Sequence, residues 1–69
     1  MSIQILDSRS AQEYVQAYFA KHGDKVEIGS VRFEGEGADE AAIVEFMLRG
    51  NVYAFDVWIE PTGEMHGEW

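Results

Sequence analysis

The sequence predicts an α+β fold in which one N-terminal helix packs on one face of an antiparallel β-meander of about four strands. Two observations predict it. A stretch with apolar residues at helical spacing comes first, and runs of alternating apolar residues, separated by Gly, Asn and Pro turn signals, follow it. Because one helix covers one side of a sheet, we expect a two-layer sandwich whose second sheet face, the outer face, is uncovered.

The length and the lack of cysteine limit how this fold can be stabilised. The chain has 69 residues and no cysteine, which predicts a single domain over residues 1–69 without disulfides or thiolate metal sites. A domain this small buries only about 60% of the surface that its unfolded chain exposes, so oligomerisation is the remaining common support. No basic region with a long apolar run opens the chain, and we therefore expect a cytoplasmic protein outside the membrane.

The charge balance is strongly acidic. Five Lys and Arg residues stand against 13 Asp and Glu residues, for a net charge of −8. This charge repels nucleic-acid phosphates and anionic lipids, so direct nucleic-acid binding is not expected. The acidity can serve solubility, steering toward a basic partner, or mimicry of nucleic-acid charge by a small inhibitor. Hydrophobic residues make up 46% of the chain, which argues against intrinsic disorder.

The first element is a helix over about residues 10–22. Ser10 followed by Glu13 matches a capping box, and Gly23 supplies a stop signal. The apolar stripe that faces the sheet consists of Ala11, Tyr14, Val15, Tyr18 and Phe19. Residues 1–6 alternate weakly and are interpreted as a short edge strand or an ordered arm.

The first main strand is predicted over residues 25–34. Its apolar residues are Val26 and Ile28, then Val31 and Phe33, so the period of two slips by one residue at Gly29-Ser30. A β-bulge there restores a single core face along the strand. An acidic loop over residues 35–40 then leads into the next strand.

Two strands over residues 41–49 and 52–60 form a β-hairpin, because Gly50-Asn51 is a two-residue turn signal between them. The resulting register places Phe46 opposite Phe55 on an apolar core face. On the outer face it places Glu45 opposite Asp56, with two further pairs, one on either side of them: Ile43 opposite Trp58, and Met47 opposite Ala54. Two carboxylates directly opposite each other are unusual, because like charges repel.

The last hairpin pairs this strand with one over residues 64–69 through the three-residue loop Pro61-Thr62-Gly63. In this register Met65 and Trp69 join the core. His66 and Glu68 join the outer face, where Trp58 and Asp56 are their neighbours. A two-residue loop would reverse both assignments, because a slip of one residue turns every side chain to the other face.

Two groups of residues on the outer face are candidate sites. The acidic group Glu45, Asp56, His66 and Glu68 offers oxygen and imidazole ligands to a divalent cation, although carboxylates on an open surface can also simply relax apart. The apolar group is a candidate protein interface, for self-association or for a different partner, and comprises Ile43, Met47, Val52, Ala54 and Trp58.

The segment Val57-Trp58-Ile59-Glu60-Pro61-Thr62-Gly63-Glu64-Met65 resembles a PepSY-type domain, in which a strand ends in an acidic residue, a short spacer, Thr-Gly and an apolar residue. The resemblance covers residues 10–65. It implies a small noncatalytic module of the kind that inhibits or regulates peptidases. The resemblance assigns a fold and a noncatalytic character, and no functional residue.

The sequence therefore predicts a small acidic protein-interaction or regulatory module rather than an enzyme. No serine lies in a nucleophile elbow and no glycine-rich segment joins a strand to a helix as a phosphate cradle. We expect no cofactor. Two alternatives stay open: a metal or small-ligand binder that uses the acidic group, and an acidic inhibitor that mimics nucleic-acid charge.

Overall fold

The structure, a computed structural model, describes residues 5–69. Its elements are α1 (Ser8–Ala20), β1 (Glu27–Glu34), a 3₁₀ turn (Gly37–Asp39), β2 (Ala41–Leu48), β3 (Asn51–Ile59) and β4 (Met65–Glu68). The strands form one antiparallel sheet in the order β1-β2-β3-β4, and α1 packs against β1, β2 and β3. The predicted α+β architecture is confirmed.

The helix begins at Ser8, two residues before the predicted start, and its cap is Asp7. The Asp7 carboxylate accepts the Ser10 N–H at 2.8 Å, and the Ser10 hydroxyl accepts the Asp7 N–H at 3.0 Å. The prediction that Ser10 and Glu13 form the capping box is wrong, because Ser10 is already the reciprocal partner of Asp7 inside the first turn. The stop at Gly23 is confirmed: its φ is 77°, and the following N–H closes back onto the Phe19 carbonyl at 2.9 Å.

The cap makes part of the stability depend on pH. The Ser10 N–H holds the pKa of the Asp7 carboxyl below its ordinary value of 3.8. The native state therefore favours the ionised carboxylate, and this contribution is lost as the pH falls below about 4 through the lowered pKa. Asp7→Ser is the comparison, because its hydroxyl also caps the helix but does not titrate. We expect the wild type to melt at a higher temperature than Asp7→Ser at about pH 4, and this difference to shrink as the pH falls to about 2. A difference between the two thermal melts that stays constant with pH would contradict this mechanism.

The β-bulge predicted in β1 is confirmed. Ile28 and Ser30 pair with consecutive residues of β2, so Gly29 is the extra residue. The bulge keeps both Ile28 and Val31 on the helix side, where they pack against the core. Of the predicted N-terminal strand or arm, residues 1–4 lie outside the described residues, and residues 5–6 are not in a strand.

The hairpin between β2 and β3 turns at Arg49-Gly50 and not at the predicted Gly50-Asn51. Leu48 pairs directly with Asn51, and the φ angles of Arg49 and Gly50 are 52° and 84°. Two positive φ angles characterise a type I′ turn, whose twist matches that of the flanking strands. The Arg49 guanidinium also reaches the Asp24 carboxylate at 2.8 Å, so the turn is tied to the loop after α1.

This turn shifts the register by two residues from the predicted one. Glu45 lies opposite Ala54, and Asp56 lies opposite Ile43. The predicted pairing of Glu45 with Asp56 is wrong, and so is that of Phe46 with Phe55, because Phe46 lies opposite Tyr53. The observed register separates two carboxylates that the predicted one would have placed directly opposite each other, where like charges are destabilising.

A shift of two residues leaves every side chain on its predicted face, so the core face is as expected. The buried core joins one face of α1 to the helix side of the sheet and consists of Ala11, Val15, Phe19, Val26, Ala42, Val44, Phe46, Phe55 and Val57. Phe55 lies at its centre, with its ring centroid 5.2 Å from that of Tyr18 and 6.1 Å from that of Phe19.

The predicted last hairpin is confirmed. Ile59 pairs with Met65 and Asp56 with Glu68, and Glu60 donates its N–H to the Glu64 carbonyl at 2.8 Å. Gly63, with a φ of 91°, takes the left-handed position of the three-residue loop. Met65 packs against the core as predicted. The Trp69 ring lies on the helix side, 5.0 Å from that of Phe19, but 54% of Trp69 is exposed, so the prediction that it joins the core is wrong: it lies at the edge of the core, just after β4. β4 thus turns His66 and Glu68 to the outer face, as predicted.

Candidate functional site

The outer face of the sheet is the candidate site. The described residues contain one helix and one sheet, and the helix packs on the opposite side. No helix or strand of residues 5–69 therefore covers the outer face. Cross-strand partners share a face, so the observed register shows which side chains meet there.

The five predicted interface residues all point to this face. Val52 and Met47 expose 61% and 43% of their surface, and Ala54 is exposed beside them. Ile43 and Trp58 are half-buried. The Trp58 indole N–H donates to the Glu60 carboxylate at 2.9 Å, and its ring borders a depression next to the 3₁₀ turn. The most accessible apolar surface is therefore at the Met47 end of the face.

The predicted metal ligands are spread along the sheet. Asp56 is opposite Glu68, and His66 is opposite Trp58. Glu45 is displaced from Asp56 by the observed register and lies beside Ala54. In the part of the chain that the structure describes, no three His, Cys, Asp or Glu side chains are close enough together to hold a metal ion.

Sequence reasoning missed part of the acidic surface. Glu27 pairs with Met47, and Glu34 pairs with Ala41, so both carboxylates belong to the outer face. Arg32 lies there as well and pairs with Glu34, with 3.1 Å between Nε and Oε2. The predicted bulge already implied this part of the surface. A bulge at Gly29 returns the following apolar residues to the core face, and it thereby also fixes which polar residues of β1 point outward.

Comparison of the chain with protein-family models, with curated proteins and with solved structures finds no match. Within residues 5–69, no helix has the length and apolar character needed to cross a bilayer. The class of molecule is set by its own geometry: a two-layer α+β domain with an open, acidic and partly apolar sheet face.

Proposed function

We propose that this chain is a noncatalytic module that binds another protein through the outer face of its sheet. The observation that carries the proposal is the exposed apolar group on that face, above all Val52 and Met47. Monomeric proteins seldom expose several contiguous apolar side chains on one surface unless that surface binds something. Met and Trp, both present here, are also enriched at protein interfaces.

The other features of the face support binding rather than chemistry. An open sheet surface that no helix or strand of residues 5–69 covers does not exclude water from a reacting group. The sequence places no serine in a nucleophile elbow, and its resemblance to PepSY-type domains implies a noncatalytic module. A regulatory role follows as part of the same proposal, because a domain without chemistry acts through what it binds.

A pair of charge insertions tests the proposal. Val52→Lys places a positive charge in the exposed apolar group, and Ala20→Lys places the same charge on the solvent side of α1, where the residue is exposed. Used as baits in the native cell extract, the wild type and Ala20→Lys should retain the same bound protein, and Val52→Lys should lose at least 90% of it, because an ammonium group would be placed in the apolar part of the contact.

Both substitutions are at exposed positions, so each should change the free energy of unfolding by no more than about 0.5 kcal/mol. Thermal melts followed by circular dichroism check this before the baits are compared. Equal recovery of every bound protein by all three baits would reject the outer face as the binding surface.

A further inference from the structure

The outer face carries four carboxylates in a diagonal row that crosses all four strands. Glu27 of β1 is opposite Met47 of β2, and Glu45 is the next outward residue along β2. The same step from Glu45 leads to Asp56 of β3, whose partner on β4 is Glu68. Cross-strand diagonal neighbours have Cα atoms about 7–8 Å apart, and direct partners about 5 Å apart. We call Glu27, Glu45, Asp56 and Glu68 the acidic row.

Apolar residues flank the acidic row on both sides. Met47, Val52 and Ala54 lie on one side of it, toward the β2–β3 turn. Ala41, Ile43 and Trp58 lie on the other side. A crevice beside the bulge at Gly29 brings the two surfaces together, because Glu27, Glu45, Met47 and Val52 all line it.

The acidic row has little positive charge near it. Arg32, the one Lys or Arg of the outer face within residues 5–69, pairs with Glu34 at 3.1 Å, and His66 lies 3.6 Å from Glu64. No ion pair within the described residues includes a member of the acidic row. With a net charge of −8 over the chain, the face therefore presents a negative potential that attracts cations.

We infer that the partner bound by the outer face is a Lys- and Arg-rich protein segment that lies along the acidic row, an inference that rests on the proposed function. Lysine and arginine complement both the negative charge of the acidic row and the apolar residues beside it. Their charged ends pair with the carboxylates, and their aliphatic stems pack on side chains such as Met47 and Val52. A second copy of this chain does not suit it, because a face-to-face dimer would bring two acidic rows together.

The test uses a fluorescein-labelled peptide of ten lysines as the probe and measures its fluorescence anisotropy at low salt. The row variant is Glu27→Gln, Glu45→Gln, Asp56→Asn and Glu68→Gln combined. The control variant combines Glu13→Gln, Glu36→Gln, Asp39→Asn and Glu40→Gln. Both variants remove four exposed carboxylates, so their net charges are equal and only the location of the charge differs.

We expect the row variant to weaken binding of the peptide at least tenfold, because it removes the carboxylates that the lysines contact. The control variant should weaken binding less than about threefold, because exposed charges contribute little to binding unless they lie close to the peptide. Equal losses in the two variants would show that the peptide responds to net charge, and no loss in either would show that the row is not contacted. Both results overturn the inference. So does a dimer in sedimentation of the wild type that Val52→Glu dissociates.

The same variants separate this inference from the proposed function. A native partner lost from the Val52→Lys bait but fully retained by the row variant would leave the binding surface in place and reject its basic occupant. A partner lost from both, and retained by the control variant and by Ala20→Lys, supports the two together.

Discussion

Phe55→Ala is expected to remove between about a third and all of the stability of the domain. Phe55 is fully buried and its ring meets those of Tyr14, Tyr18, Phe19 and Phe46, with centroids 5.2 to 6.3 Å apart. Truncation of a buried Phe to Ala costs about 3–5 kcal/mol, through lost burial and the cavity that is left. At about 0.05–0.15 kcal/mol per residue, a domain of 69 residues has only about 3–10 kcal/mol in total.

Urea unfolding followed by far-ultraviolet circular dichroism measures the effect. Phe55→Leu keeps most of the buried volume and is expected to cost about 1–2 kcal/mol. Val52→Ala, on the exposed outer face of the same strand, is expected to change the free energy of unfolding by less than about 0.5 kcal/mol. Equal costs for Phe55→Ala and Val52→Ala would contradict the assignment of the two faces of β3.

The register of the β2–β3 hairpin shows what an alternating pattern can and cannot predict. Alternation determines which face a side chain occupies, and every assignment in β2 and β3 was correct on this point. It does not distinguish two registers that differ by two residues, because both keep the same faces together. The choice depended on the turn, where Arg49 takes a positive φ that its residue type does not favour. Separation of Glu45 from Asp56 supports that choice.

The start of the helix was ambiguous for a similar reason. Asp7 with Ser10, and Ser10 with Glu13, are two overlapping capping patterns three residues apart. Propensity alone does not rank them. The structure uses the first, since Ser10 then satisfies the Asp7 N–H and also donates its hydroxyl to the Ile5 carbonyl at 2.6 Å.

The candidate site was predictable in composition and not in arrangement. Its apolar members followed from alternation, since Met47, Val52 and Ala54 are all out of phase with the core. The acidic row did not follow, because its arrangement depends at once on the bulge in β1, the turn between β2 and β3 and the loop between β3 and β4. With the predicted register, Glu45 and Asp56 would form a local pair, whereas the observed register spreads the carboxylates across the sheet.

Gly67→Ala is expected to produce the second large loss of stability, although the sequence pattern associates glycines mainly with turns. Gly67 is opposite Val57 on the helix side of β4. A Cβ atom there would lie 2.5 Å from Cε1 of Phe55, 2.8 Å from the Asp56 carbonyl oxygen and 2.9 Å from Cε1 of Tyr14. Two of these neighbours are ring atoms held in the core and one is backbone, so relief requires β4 or α1 to move.

Overpacking of this kind costs about 1–3 kcal/mol, again a large share of the total. Gly29→Ala is the matched control, because its Cβ would meet only the Glu45 carbonyl oxygen at 3.4 Å, and we expect it to change the free energy of unfolding by less than about 0.5 kcal/mol. A double-mutant cycle identifies the cause. Leucine at position 55 lacks Cε1, so Gly67→Ala should cost at least about 0.5 kcal/mol less in the Phe55→Leu background. Strict additivity in urea unfolding would mean that the contact with Phe55 is not what requires glycine at position 67.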